Sequence, residues 1–120
     1  MKIGIPANSN NLDAKVDSRY ARSQYIIFVD SETLEFEAVN NKNMNSQQGA
    51  GTGMSQDLIK GGADIIISQN VGPKAWEVLK EFGIKVYKAV DGMSIKEALE
   101  AQKNGKLEEI TSATEEGHHH

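Results

Sequence analysis

Ala63-Asp64-Ile65-Ile66-Ile67-Ser68 is the stretch that decides the fold. A strand with one wet face alternates apolar and polar residues, and three consecutive isoleucines do not, so both faces of this strand must be covered. That is the mark of a parallel sheet between layers of helices, and it places the strand centrally. Gly61-Gly62 before it ends one helix, and Asn70-Val71-Gly72-Pro73 after it starts another, with Asn70 as the expected cap and Pro73 in the first turn.

Working toward the carboxyl end, Ala75, Val78, Leu79 and Phe82 recur at helical spacing and Gly83 supplies the stop. Residues 84–88 read as the next strand. Ser94 and Glu97 have capping-box spacing, so a further helix starts there and runs to about Lys103. From residue 113 the composition turns to Ala, Thr and Glu and ends in three histidines, which reads as a disordered tail with the remnant of a purification tag. The single domain is therefore expected over residues 1–112, with residues 113–120 as the tail.

Working toward the amino end, residues 51–60 read as the first helix, entered through Gly49-Ala50-Gly51-Thr52-Gly53. Residues 34–40 alternate Leu34, Phe36 and Ala38 with Glu35 and Glu37, and residues 25–30 are apolar, with only Ser31-Glu32-Thr33 between the two runs. This predicts an antiparallel hairpin. Lys2-Ile3-Gly4-Ile5-Pro6 is a first strand, followed by a long polar loop to residue 23. The order β-β-β-α-β-α-β-α, with right-handed crossovers, predicts a three-layer α/β domain around a mixed five-stranded sheet of order 3-2-1-4-5. Ligands in such sheets collect at the carboxyl ends of the parallel strands, where the first polar loop, the glycine stretch and the Asn70 loop all open.

Composition removes several function classes. The chain of 120 residues carries 13 Lys and Arg against 17 Asp and Glu, a formal net charge of -4, without a basic stripe for nucleic acid. It has no cysteine, and its three histidines are His118, His119 and His120. Thiolate metal sites, nucleophilic dyads and the common transition-metal ligands are thus missing. No long apolar segment or signal peptide is evident, so a cytoplasmic monomer without a membrane or nucleic-acid partner is expected. The glycine stretch matches neither the P-loop nor the dinucleotide pattern, yet glycines leading into a helix start suit an anionic group.

The quoted residues together resemble the dinitrogenase iron–molybdenum cofactor biosynthesis family of small accessory proteins. The resemblance runs through Met1 to Pro6, Arg19-Tyr20-Ala21-Arg22, Gly49-Ala50-Gly51, Gly62-Ala63-Asp64 and Asn70-Val71-Gly72-Pro73-Lys74-Ala75, and on through Gly83-Ile84-Lys85-Val86-Tyr87. It implies a ribonuclease H-like strand arrangement and a role in binding or carrying iron–sulfur or iron–molybdenum cluster precursors, with cluster-donor or cluster-acceptor proteins as partners. Family members often have histidine where this chain has Arg19, and many have one where it has Gln48, so both imidazole positions are replaced here.

The expected site therefore comprises Arg19, Tyr20, Arg22, Gln48, Gly49, Ala50, Gly51, Asn70 and Gly72, with guanidinium and backbone N–H groups holding an anionic cluster. Arg19 and Arg22 would clamp it, and Tyr20 would order the loop. No metal ligands or catalytic residues are assigned. The leading function is a non-enzymatic carrier. The alternatives are an enzyme using the same cleft on a small anionic metabolite, with Asp13 or Asp17 as base, and an interaction module whose cluster site has decayed.

Overall fold

The computed structural model describes residues 1–114, so the expected tail lies outside the described residues except for 113 and 114. In chain order the elements are β1 (Lys2–Ala7), β2 (Tyr25–Asp30), β3 (Phe36–Asn40), a 3-10 turn (Lys42–Asn45), α1 (Ala50–Lys60), β4 (Ile65–Ser68), α2 (Pro73–Glu81), β5 (Lys85–Lys88), α3 (Ile95–Lys103) and β6 (Glu108–Ile110). One mixed sheet runs β3-β2-β1-β4-β5-β6. The expected five-stranded, ribonuclease H-like sheet is corrected by this arrangement. A sixth strand pairs antiparallel with β5, setting Ile110 opposite Val86 and Glu108 opposite Lys88. Three residues, two of them glutamates, show no periodicity of their own; the open edge of β5 selects them, with Ile110 buried at their end and Leu107 buried just before them.

All four residues of β4 are buried between parallel partners β1 and β5, as the isoleucine run requires. The β2–β3 hairpin forms with Ile27 opposite Ala38 and Val29 opposite Phe36. Its second strand starts at Phe36 rather than residue 34 because Leu34 takes a left-handed conformation, φ 65°.

The strand period of two divides the core. Met54 and Leu58 of α1 and Ala75 and Leu79 of α2 pack on Ile26, Phe28, Ile66 and Val86. On the other face Ile95, Ala98 and Leu99 of α3 meet Ile3, Ile5, Ile27, Val29, Ile65 and Ile67, and Ala14 and Val16 of the first loop join them. That loop is less irregular than its polarity suggests. It returns to bridge Ala7 through Val16, and the carbonyls of Ala14 and Leu12 accept the Ile95 and Lys96 N–H groups at the start of α3. On α2, the expected apolar face loses Phe82, which is 62% exposed at the helix end beside Gly83.

Candidate functional site

The helix starts of the molecule are built differently. Ser94 caps α3 through its side chain, Glu97 answers on the Ser94 N–H, and the first loop takes two further donors. By contrast α1 begins at Gly49 and α2 at Gly72, and neither has a side-chain cap. Helix geometry leaves the N–H groups of Ala50, Gly51 and Thr52 in α1, and of Lys74 and Ala75 in α2, without an intrahelical acceptor. The expected capping by Asn70 is thus corrected: Gly72 holds that position, because Pro73 opens the helix and the Asn70 amide is drawn the other way, donating to Ser18 O at 2.8 Å.

The two uncapped starts touch. A Cβ built on Gly51 would lie 3.3 Å from the Ala75 Cβ, so the glycine lets α1 and α2 approach. Ser55 Oγ, one turn into α1, donates to Ala75 O at 2.9 Å and holds the pair in register. Gly49 has φ 72°, a conformation open to glycine at this turn. Gly53 stands so close to Asn43 that no side chain fits unless Asn43 moves. Each glycine of the stretch therefore has a packing or backbone reason.

The first loop is stitched across this junction. Tyr20 is buried, with its hydroxyl 2.7 Å from Ser55 Oγ, and that burial raises its phenol pKa far above the ordinary value. The Arg22 guanidinium donates to the carbonyls of Met44 and Ser46, which brings its charge to the backbone leading into Gln48 and Gly49. Arg19 makes a two-point bond through Nε and Nη2 to the buried carboxylate of Asp17, both at 3.0 Å. Its side chain is still 56% exposed. Asn70 Oδ1 is buried without a hydrogen-bond partner among the described residues; an acceptor has no use for a bare anion, so this amide serves the loop. Gln48 and Gly49 are exposed and Ala50 is buried as the first residue of α1.

Three residues escaped the sequence reading. Ser55 looked like an ordinary helix residue. Asn41, 3% exposed, donates to Ala21 O and Ser23 O, both at 2.9 Å, and its Oδ1 receives the Asn43 N–H. Thr114 pairs with Val71 through backbone and hydroxyl, which sets Thr114 beside the segment leading into α2. A run such as Asn40-Asn41-Lys42-Asn43 signals a turn, but neither its burial nor these partners. A neighbouring hollow of about 300 Å³ is lined by Asp17 and Asp91 besides Arg19 and Lys15, a poorer setting for an anion than the two helix starts. Among the described residues no group of three or more His, Asp or Glu could hold a metal ion, and Asp13 pairs instead with Lys96. No helix among them is long and apolar enough to cross a membrane.

Comparison with known proteins identifies relatives of the whole domain. Residues 1–105 match the family described as dinitrogenase iron-molybdenum cofactor. An uncharacterized protein of Methanocaldococcus jannaschii is 36% identical over 113 residues, 92% of each chain. The apo form of the orange protein from Desulfovibrio gigas superposes with a TM-score of 0.90 at 30% identity, covering 95% of this chain and 96% of that one. A Thermotoga protein provisionally assigned as NifB gives 0.81 at 37% identity, covering 97% and 98%. The chain belongs to the dinitrogenase iron-molybdenum cofactor family.

Proposed function

We propose that this protein is a small non-enzymatic carrier that holds a preassembled anionic metallocluster, an iron–sulfur or iron–molybdenum cluster precursor or a similar anion, between the starts of α1 and α2. One observation carries the reading: two uncapped helix starts lie in van der Waals contact. Their positive ends repel each other, and an anion between them turns that repulsion into attraction. Arg22 adds a full charge on the adjoining segment, and Arg19 keeps more than half of its side chain open.

The donor set decides the mode of holding. Without cysteine, and with histidine only at 118–120, the chain offers N–H and guanidinium donors rather than metal ligands. The cargo would keep its own sulfide or thiolate ligands and be gripped through them. A relative solved in its apo form supports a ligand-holding role. Residues 1–112 would act as one cytoplasmic, monomeric domain that receives the cluster from a donor protein and passes it to an acceptor.

The test is anaerobic titration of tag-free protein with a synthetic thiolate-capped iron–sulfur cluster, followed by desalting. Retention of the cluster spectrum with its capping thiolates, weakened by added salt, is expected. A folded protein that lets the cluster through would favour the decayed interaction module. Release of the capping thiolates on binding would mean direct ligation and overturn the donor-only site.

A further inference from the structure

A second feature lies along the β3 edge of the sheet and does not depend on the cluster reading. β3 pairs with β2 on one side only. Its ladder fixes which main-chain groups stay open: Asp30 N–H donates to Glu35 O and Asn41 N–H to Gln24 O, with Phe28 opposite Glu37 and Ile26 opposite Val39 between them. Antiparallel pairing alternates, so Glu37 and Val39 turn their N–H and C=O groups toward β2, while Phe36, Ala38 and Asn40 turn theirs outward. The register runs without a bulge, and the strand holds neither proline nor lysine, the common guards of an open edge. Phe36, 43% exposed, adds an apolar side chain on the same face as Ala38.

What guards this edge is charge of one sign. The segment from Asp30 to Asn41 carries Asp30, Glu32, Glu35 and Glu37 and no lysine or arginine. Glu35 and Glu37 are exposed, share the face turned toward α1, and enter no ion pair among the described residues. Lys2 lies on that face too, but on β1, where it donates to Gly61 O. A strand added outside β3 would lie about 5 Å from the strand of Glu37 and about 14 Å from that of Lys2, the latter beyond the screening length of physiological salt. Lys42 stands past the end of the strand, in the 3-10 turn. A second copy of the chain fits this edge poorly. Pairing β3 with β3 about Ala38 sets the two Glu37 side chains diagonally on one face, and pairing it with β6 sets Glu37 against a strand that carries Glu108 and Glu109. The carboxylates that turn away a copy of this chain select a basic strand.

We propose that the β3 edge takes up an extended segment of a partner protein that alternates apolar and basic residues, its main chain bonded to Phe36, Ala38 and Asn40 and its basic side chains beside Glu35 and Glu37. The probes are a short peptide of alternating valine and lysine and the same peptide with glutamate in place of each lysine. The lysine peptide should shift the amide resonances of Phe36, Ala38 and Asn40, slow their hydrogen exchange, and leave the resonances of Gly49 to Gly51 in place. Glu35→Gln with Glu37→Gln should weaken its binding about threefold or more, and so should added salt. Methylating the peptide's own nitrogens tests the mode of binding without touching the protein. In an antiparallel pair the valine N–H groups opposite Phe36 and Ala38 face β3, so methylating them should abolish binding, while methylating the lysine N–H groups, which face away, should leave most of it. Equal binding of the lysine and glutamate peptides, unchanged binding after methylation at the valines, or shifts confined to other parts of the domain would overturn the proposal. A dimer of the peptide-free protein that the lysine peptide dissociates would also overturn it, assigning the edge to a second copy.

Discussion

The Tyr20 hydroxyl and Ser55 Oγ stand 2.7 Å apart in the interior, and because Ser55 donates onward to Ala75 O, the phenol is the donor between them. One short chain of hydrogen bonds thus links the first loop to both helices whose starts form the candidate site. Tyr20→Phe should cost about 1 kcal/mol in urea unfolding, while Ser55→Ala should cost about 1–3 kcal/mol because it strands a buried hydroxyl. The double variant should cost less than the sum. Burial raises the phenol pKa, so the stabilisation is complete below the ordinary value of 10.0 and declines as pH rises beyond it; Tyr20→Phe should flatten that alkaline decline.

Arg22 serves two ends through one group. Its guanidinium ties the first loop to Met44 and Ser46, and the same charge borders the glycine stretch. Arg22→Ala should cost about 1.5–3 kcal/mol and speed hydrogen exchange over residues 44–49, with the domain still folded. Cluster or anion retention should fall by about tenfold or more. Arg22→Lys should recover only part of both, because an ammonium cannot reproduce the planar fork. Unchanged retention by a folded Arg22→Ala protein would remove the arginine from the site.

Gly51 and Gly72 make a matched pair of substitutions. A Cβ at Gly51 meets Ala75, whereas one at Gly72 meets nothing within 4 Å. Gly51→Val should separate the helix starts, lower Tm and weaken anion binding together, and Gly72→Ala should leave Tm nearly unchanged. Thermal unfolding beside anion titration checks both, and equal Tm losses would show that the close helix approach is not what Gly51 provides.

At α3 the capping box should be visible in a titration. The Ser94 N–H and hydroxyl hold the Glu97 carboxyl below its ordinary value of 4.5. A lowered carboxyl pKa stabilises the folded form above the unfolded value, and the contribution is lost as pH falls through the folded one. Carbon-detected NMR should place the Glu97 midpoint below 4.5, and Ser94→Ala should move it up while costing about 1 kcal/mol of stability.

Much of the frame was written in local chemistry. The Ile65-Ile66-Ile67 run needs two covered faces, the alternation from Leu34 to Ala38 with a short turn makes a hairpin, and Ser94 with Glu97 marks a helix start. These signals are legible because the groups that produce them lie within a few residues of one another. The residues around the candidate edge were legible in the same way, as glycines and arginines of suggestive spacing.

What those residues do was decided only in three dimensions. Whether Arg22 faces a ligand or a carbonyl depends on a loop more than twenty positions away, and Asn70 is not the cap because α2 opens at Pro73 with Gly72 in the cap position, while the Asn70 amide donates to Ser18 O. Gly51 owes its place to Ala75, and Glu108 to Ile110 became a strand because β5 presented an unpaired edge. Periodicity reports which face of an element is buried, but a hydrogen-bond partner or an edge-strand pairing is chosen by what the folded chain brings alongside, and that information is spread over distant segments.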